Sequence, residues 1–157
     1  MDAIIAFSFG RIGHEPNQSS IAIAELVAKK ATPRSQFIII AQWEVAIALE
    51  SLGVSPDHIV QKNEKGYLKS SDVANSAAMF LATKKYPLGS IFAVGHPDHV
   101  RRCVLVLRNV GILAQRLSCN QIGYDPCSTE KWVRSRRLFL FRELLATPFY
   151  LFSGELF

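Results

Sequence analysis

Two unbroken apolar runs near the N-terminus, each followed by a stretch of helical periodicity, limit what this chain can fold into. Ala3 to Phe9, and Phe37-Ile38-Ile39-Ile40 within Gln36 to Ala41, lack the polar alternation of a strand with one wet face. Strands buried on both faces read this way, and they belong to parallel sheets covered by helices. The intervening segment fits a crossover helix. Asn17-Gln18-Ser19-Ser20 offers capping side chains, Ile21, Ala24 and Val27 with Leu26 form an apolar face, and Lys29-Lys30 sit near the C-terminal end before Thr32-Pro33.

The alternation continues along the chain. Glu44 to Leu52 reads as a helix closed by Gly53, and His58 to Gln61 as a short third strand leading into a polar loop, Lys62 to Ser70. A helix is expected from Ser70 or Ser71 to about Lys85, with Val73, Ala77, Phe80 and Leu81 inward. Ser90 to Val94 is the fourth strand. Pro97 to Val110 is a helix striped by Val100, Cys103, Val104, Leu107 and Val110 and stopped by Gly111. A fifth strand lies within Ile112 to Leu117. Ser128-Thr129 caps a final helix from Glu130 to Leu145, limited by Pro148 and followed by an apolar tail, Phe149 to Phe157. Short buried strands alternating with helices predict an α/β chain, a Rossmann-like three-layer sandwich with a mainly parallel sheet of about five strands. Ligands in such sheets bind beyond the carboxyl ends of the strands.

At 157 residues, with 49% hydrophobic and 20% charged residues, the chain fits one globular domain. No apolar run approaches the ~20 residues of a membrane-spanning helix. The N-terminus lacks the basic segment of a signal peptide, so a cytoplasmic protein without membrane partners is expected. Cys103, Cys119 and Cys127 show neither a disulfide framework nor zinc spacing. The net charge of +5 is concentrated between Lys131 and Arg142, where Arg134, Arg136, Arg137 and Arg142 accumulate. No basic strand interleaved with aromatics and no recognition helix accompanies it, so nucleic acid is not the expected partner.

Candidate site residues cluster after the fourth strand, in Gly95-His96-Pro97-Asp98-His99-Val100-Arg101-Arg102. With Pro97 in the first helical turn, the amides around Gly95 to Asp98 would face the cleft and bind an anion. His99 and Arg102 are three apart and share a helix face. Arg102 would clamp a carboxylate or phosphate, His99 would donate a hydrogen bond or exchange a proton near neutral pH, and His96 would line the same turn. The plainer alternative is that His96 and His99 cap the helix. No third and fourth metal ligands accompany them. Asp72 and Asn75 are also three apart, forming a hydrogen-bonding wall, with Asp72 or Ser71 alternatively an N-cap. Ser8, Gly10 and Arg11 in the first loop, and Gln42 after the second strand, complete the ligand-binding set, while the neighbouring Trp43 offers a stacking face for a planar ring or packs in the core. No Gly-x-Ser-x-Gly elbow and no cysteine with an activating histidine is present, so a covalent hydrolase is not supported.

Gly53-Val54, Asn75 with its helix, Val94 through His99 and Arg102, and Arg142-Glu143 together resemble the YdcF/SanA/ElyC-like family. Asp72 stands where that family has threonine, Ser76 where it has alanine, Ala41-Gln42 replaces a glycine pair, and the first turn is reduced to Phe9-Gly10-Arg11. The resemblance implies a Rossmann-like fold and a pocket for a nucleotide-like small molecule, S-adenosylmethionine being associated with one member. Envelope-linked members carry a membrane anchor, which is not expected here. The leading expectation is a small-molecule-binding protein, with or without enzymatic activity, for an anionic or nucleotide-like ligand. A non-catalytic interaction module using the basic last helix and the apolar tail, including self-association, is one alternative. A specialised enzyme on the same scaffold, with His99 as acid/base in a redesigned pocket, is the other.

Overall fold

The computed structural model describes residues 1–62, 68–85 and 87–153, with backbone alone from 145 onward. Its centre is strand β1 (Asp2–Ala6), flanked by β4 (Phe37–Gln42) and β6 (Ile91–Val94), with β5 (His58–Val60) and β7 (Gln115–Leu117) at the edges. The order β5-β4-β1-β6-β7 is parallel throughout, with Ile4 opposite Ile39 on one side and Phe92 on the other. This is the Rossmann-like α/β sandwich expected. β2 (Arg11–Ile12) and β3 (Glu15–Pro16) form a small separate hairpin after β1.

The apolar runs lack alternation because both faces of the sheet are covered. Ile4, Ala6, Ile39 and Ala41 pack with Ile23, Ala24 and Val27 of α1 (Gln18–Lys30) and Val45, Ala46 and Leu49 of α2 (Trp43–Ser51). Ala3, Ile5, Ile38 and Ile40 point the other way, onto Val73, Ala77 and Leu81 of α3 (Ser70–Ala82) and Cys103 and Leu107 of α4 (Val100–Asn109). From β1 the chain winds outward to β4 and β5, then returns to β6 on the other side of β1. The loops after β1 and β6 therefore part company at the strand ends and leave a crevice there. The last helix, α5 (Arg136–Ser153), brings buried Phe139 to that crevice.

Local chemistry fixes the first loop. Asn17 caps α1 by accepting from Ser20 N at 2.9 Å and donates to the Phe9 carbonyl, while Ser20 Oγ accepts from Phe9 N and donates to the Gly10 carbonyl. Gly10 has φ +99°, and a Cβ there would lie 2.6 Å from Val133 Cγ2 and 2.7 Å from Asn17 Nδ2, so only glycine fits.

Several boundaries differ from expectation. Pro97 is not in the first turn of α4: the His96 carbonyl accepts from both His99 N and Val100 N, closing a tight turn before the helix begins. Asp98 N donates to His96 Nδ1, so the amides of 98 and 99 are used within the turn and do not form the anion nest expected around Gly95. The last helix begins at Arg136 after a 3-10 turn at Lys131–Val133, because Thr129 N and Ser128 Oγ first bind the Arg11 carbonyl and tie this segment to the hairpin. Its backbone continues past Pro148 to Ser153, so the proline costs one internal hydrogen bond without ending the helix. Most of the expected polar loop, residues 63–67, and the end of the apolar tail, 154–157, lie outside the described residues. Among the described residues no helix is long and apolar enough to cross a membrane.

Candidate functional site

A cavity of about 50 Å³ lies at the carboxyl ends of β1 and β4, closed by α5. Ser8, Gly10, Gln42, His99 and Arg102 of the expected set line it, joined by Glu44, Ser70, Glu130 and Arg142. Each arrives there for a local reason. Ser8 follows β1, and its backbone N–H donates to Gln42 Oε1 at 3.1 Å, locking the β1 and β4 loops together. Glu44 occupies the first turn of α2, immediately after a strand buried along its whole length. Arg142 and Phe139 are three apart on α5 and share its cavity side.

His99 is buried and accepts at Nδ1 from an Arg102 N–H at 3.2 Å. The ring proton then belongs on Nε2, where Ser70 Oγ lies at 3.5 Å. Burial, followed by the Arg102 and Arg142 charges, holds its pKa well below the ordinary histidine value. His99 is thus a neutral hydrogen-bond donor at pH 7, the first of the two roles expected from sequence, and not the neutral-pH proton exchanger. Arg102 is paired with Glu143 of α5 as well as with His99, so it is a braced guanidinium and not an open clamp.

Glu44 went unnoticed in the sequence. It is 4% exposed, and Oε2 has no hydrogen-bond partner among the described residues. Burial drives its pKa up to about 7 and the Glu130 charge adds to this, against backbone and Ser8 hydrogen bonds and the Arg11 charge. Glu130 is raised as well, again by burial. An acidic residue in the first turn of a helix ordinarily reads as a favourable dipole partner. The available signal was its position directly after the continuous apolar strand. A carboxyl there lies over the strand ends.

Other expected residues sit apart from the cavity. His96 is 2% exposed and stacks on Phe9 with centroids 3.8 Å apart, its edge against Tyr124. Burial lowers its pKa to about 4, so it is a packed neutral ring with Nε2 unpartnered among the described residues. Arg11 is turned to the Gly13 carbonyl and lies 3.8 Å from Glu130. Asp72 stands at the third position of α3 and accepts from the backbone N–H of the N-cap residue, Lys69, at 2.9 Å, so neither it nor Ser71 is the N-cap expected. Asn75 is exposed on α3 outside the cavity, so the expected Asp72–Asn75 wall is not formed. Gly95 lies behind the turn, its carbonyl accepting from Ser118 Oγ. Trp43 is nearly buried under Lys62 and presents no face to the cavity.

Two further contacts brace the site. Asp98 accepts from the Tyr124 hydroxyl at 2.7 Å and from Arg136 at 3.1 Å, joining the β6 turn to the start of α5. Burial opposes its charge, but those two donors prevail and keep the carboxyl below its usual range. No group of three or more His, Cys, Asp and Glu suited to a metal ion occurs among the described residues. Comparison with protein-family models, curated proteins and solved structures gives no match for this chain.

Proposed function

We propose that the chain binds a small molecule whose anionic group enters the cavity at the ends of β1 and β4. Glu44 carries this reading: a buried carboxyl with an unpartnered oxygen shares the cavity with the side chains of Arg102 and Arg142. A buried polar oxygen left without a partner costs about 1–3 kcal/mol, which a ligand hydrogen bond would recover. Protonated, Glu44 donates to an anion. Ser8 and Ser70 hydroxyls and the His99 Nε2–H add further donors, and Arg102 and Arg142 supply positive charge.

About 50 Å³ accommodates a carboxylate, sulfate or phosphate group and little more, whereas whole small-molecule sites span roughly 300–1,000 Å³. S-adenosylmethionine or another nucleotide-like ligand would therefore seat only its charged head here, with the remainder outside. If the bound molecule reacts, the proton donor or acceptor near neutral pH is Glu44, with His99 as a neutral anchor. We further propose membership of the YdcF/SanA/ElyC-like family, supported by the parallel sandwich, by His99, Arg102 and Arg142 meeting at one cavity, and by the pairing of Glu143 with Arg102. A reducing, cytoplasmic setting is supported by three unpaired cysteines, one of them exposed.

Isothermal titration with S-adenosylmethionine, nucleotides and sugar phosphates tests the assignment. At least one should bind wild type, and His99→Ala/Arg102→Ala should weaken it tenfold or more while retaining a cooperative melt. Equal affinities of the two proteins for every ligand bound would remove the cavity from consideration.

A further inference from the structure

The side of α5 that carries Arg136 and Leu140 closes a second concavity. This one is a larger groove of about 630 Å³ beyond the ends of β6 and β7, bounded by the start of α4 and the segment after β7. Adjacent residues on α4 serve the two places, since Arg102 enters the cavity and Arg101 the groove. Arg116 of β7 and Arg136 of α5 bring two more guanidiniums to the same concavity, against one carboxylate, Asp98. Asp98 already accepts from Tyr124 and Arg136. Arg101 and Arg116 are exposed and make no ion pair or side-chain hydrogen bond among the described residues.

A guanidinium presents a planar fork of donors that matches phosphate oxygens, and arginine surrenders its hydration more readily than lysine. Two such forks without protein acceptors, beside a third shared with a single carboxylate, leave the groove with surplus positive charge. Its volume lies within the range of small-molecule sites, more than ten times that of the cavity. The lining is also partly apolar: Leu140 is 48% exposed there, and Asn120 supplies an amide. Cations gathered in one concavity around an apolar side chain suit a compact ligand better than an extended nucleic-acid strand, which needs a charged track.

We propose that this groove binds a phosphorylated small molecule, its phosphate held by Arg101 and Arg116 and its less polar part laid against Leu140. The site is separate from the cavity and does not depend on it.

Titration with adenosine 5′-diphosphate, inorganic phosphate and a ten-nucleotide DNA strand at low salt tests this. Wild type should bind the diphosphate, and Arg101→Ala/Arg116→Ala should weaken that binding at least tenfold. Lys29→Ala/Arg108→Ala removes two exposed charges elsewhere and should change it less than twofold, as should the cavity variant His99→Ala/Arg102→Ala. The substituted groove arginines are exposed, and an unchanged melting curve would confirm that their loss leaves the fold intact. The proposal is overturned if wild type binds neither the diphosphate nor phosphate, or if only the DNA strand binds. Equal weakening by the control pair, or loss of affinity confined to the cavity variant, would overturn it too.

Discussion

Glu44 sets the acid–base behaviour of the cavity, and its titration has a definite sign. Between the ordinary glutamate value of 4.5 and its folded value of about 7, the folded chain keeps a proton that the unfolded chain has released. Stability therefore falls as pH rises through that window, by about 3 kcal/mol if the whole shift is expressed. Glu44→Gln should flatten the curve of unfolding free energy against pH between 5 and 8 and leave the variant more stable than wild type at pH 8. A variant that keeps the wild-type slope would place the titration elsewhere. His96 acts in the opposite direction. Its pKa is lowered to about 4, so stability present above 6.5 is lost as pH falls. These shifts were not legible in the sequence, because each depends on burial by residues distant along the chain. Phe9 and Tyr124 cover His96, and α5 closes over His99.

The elements themselves were far easier to read. β1, β4, α1, α2 and α3 follow from apolar runs, helical spacing and the Asn17 cap, all local signals that the core then reinforces. The start of α4 and the course of α5 were misjudged where local rules met tertiary contacts: the turn closed on the His96 carbonyl, and a helix persisted through Pro148. Asp98 meets both the Tyr124 hydroxyl and Arg136 at the start of α5, and magnitudes separate the two partners. Arg136 is 69% exposed on its side chain, so its pairing with Asp98 is largely screened. The Tyr124 hydroxyl donates to a charged acceptor in a half-buried setting, a bond worth roughly 1.5–3 kcal/mol. Asp98→Ala should accordingly cost about 2 kcal/mol in urea unfolding, and Arg136→Ala under about 0.5 kcal/mol. Equal losses would show that the ion pair anchors the helix.

At the scale of the whole molecule, the topology explains why the cavity lies where it does. The reversal of strand order at β1 opens a crevice that the loops after β1 and β6 and the helix α5 convert into a small charged cavity. That location was legible from the alternation of elements, and so were Ser8, Gly10, Gln42, His99 and Arg102. Glu44 and Glu130 were not, and Arg142 stood out only through the family resemblance, because residues 44, 130 and 142 converge only after α5 folds back over the strand ends. The central claim is that an anionic group is received beside a protonated Glu44. The most direct measurement follows the Glu44 carboxyl-carbon resonance through a pH titration, in sodium sulfate and in sodium chloride of matched ionic strength. Sulfate keeps its charge across the range. The account predicts a midpoint near 7 in chloride and a higher midpoint in sulfate. A midpoint at the ordinary 4.5, or one that sulfate leaves unmoved, would contradict it.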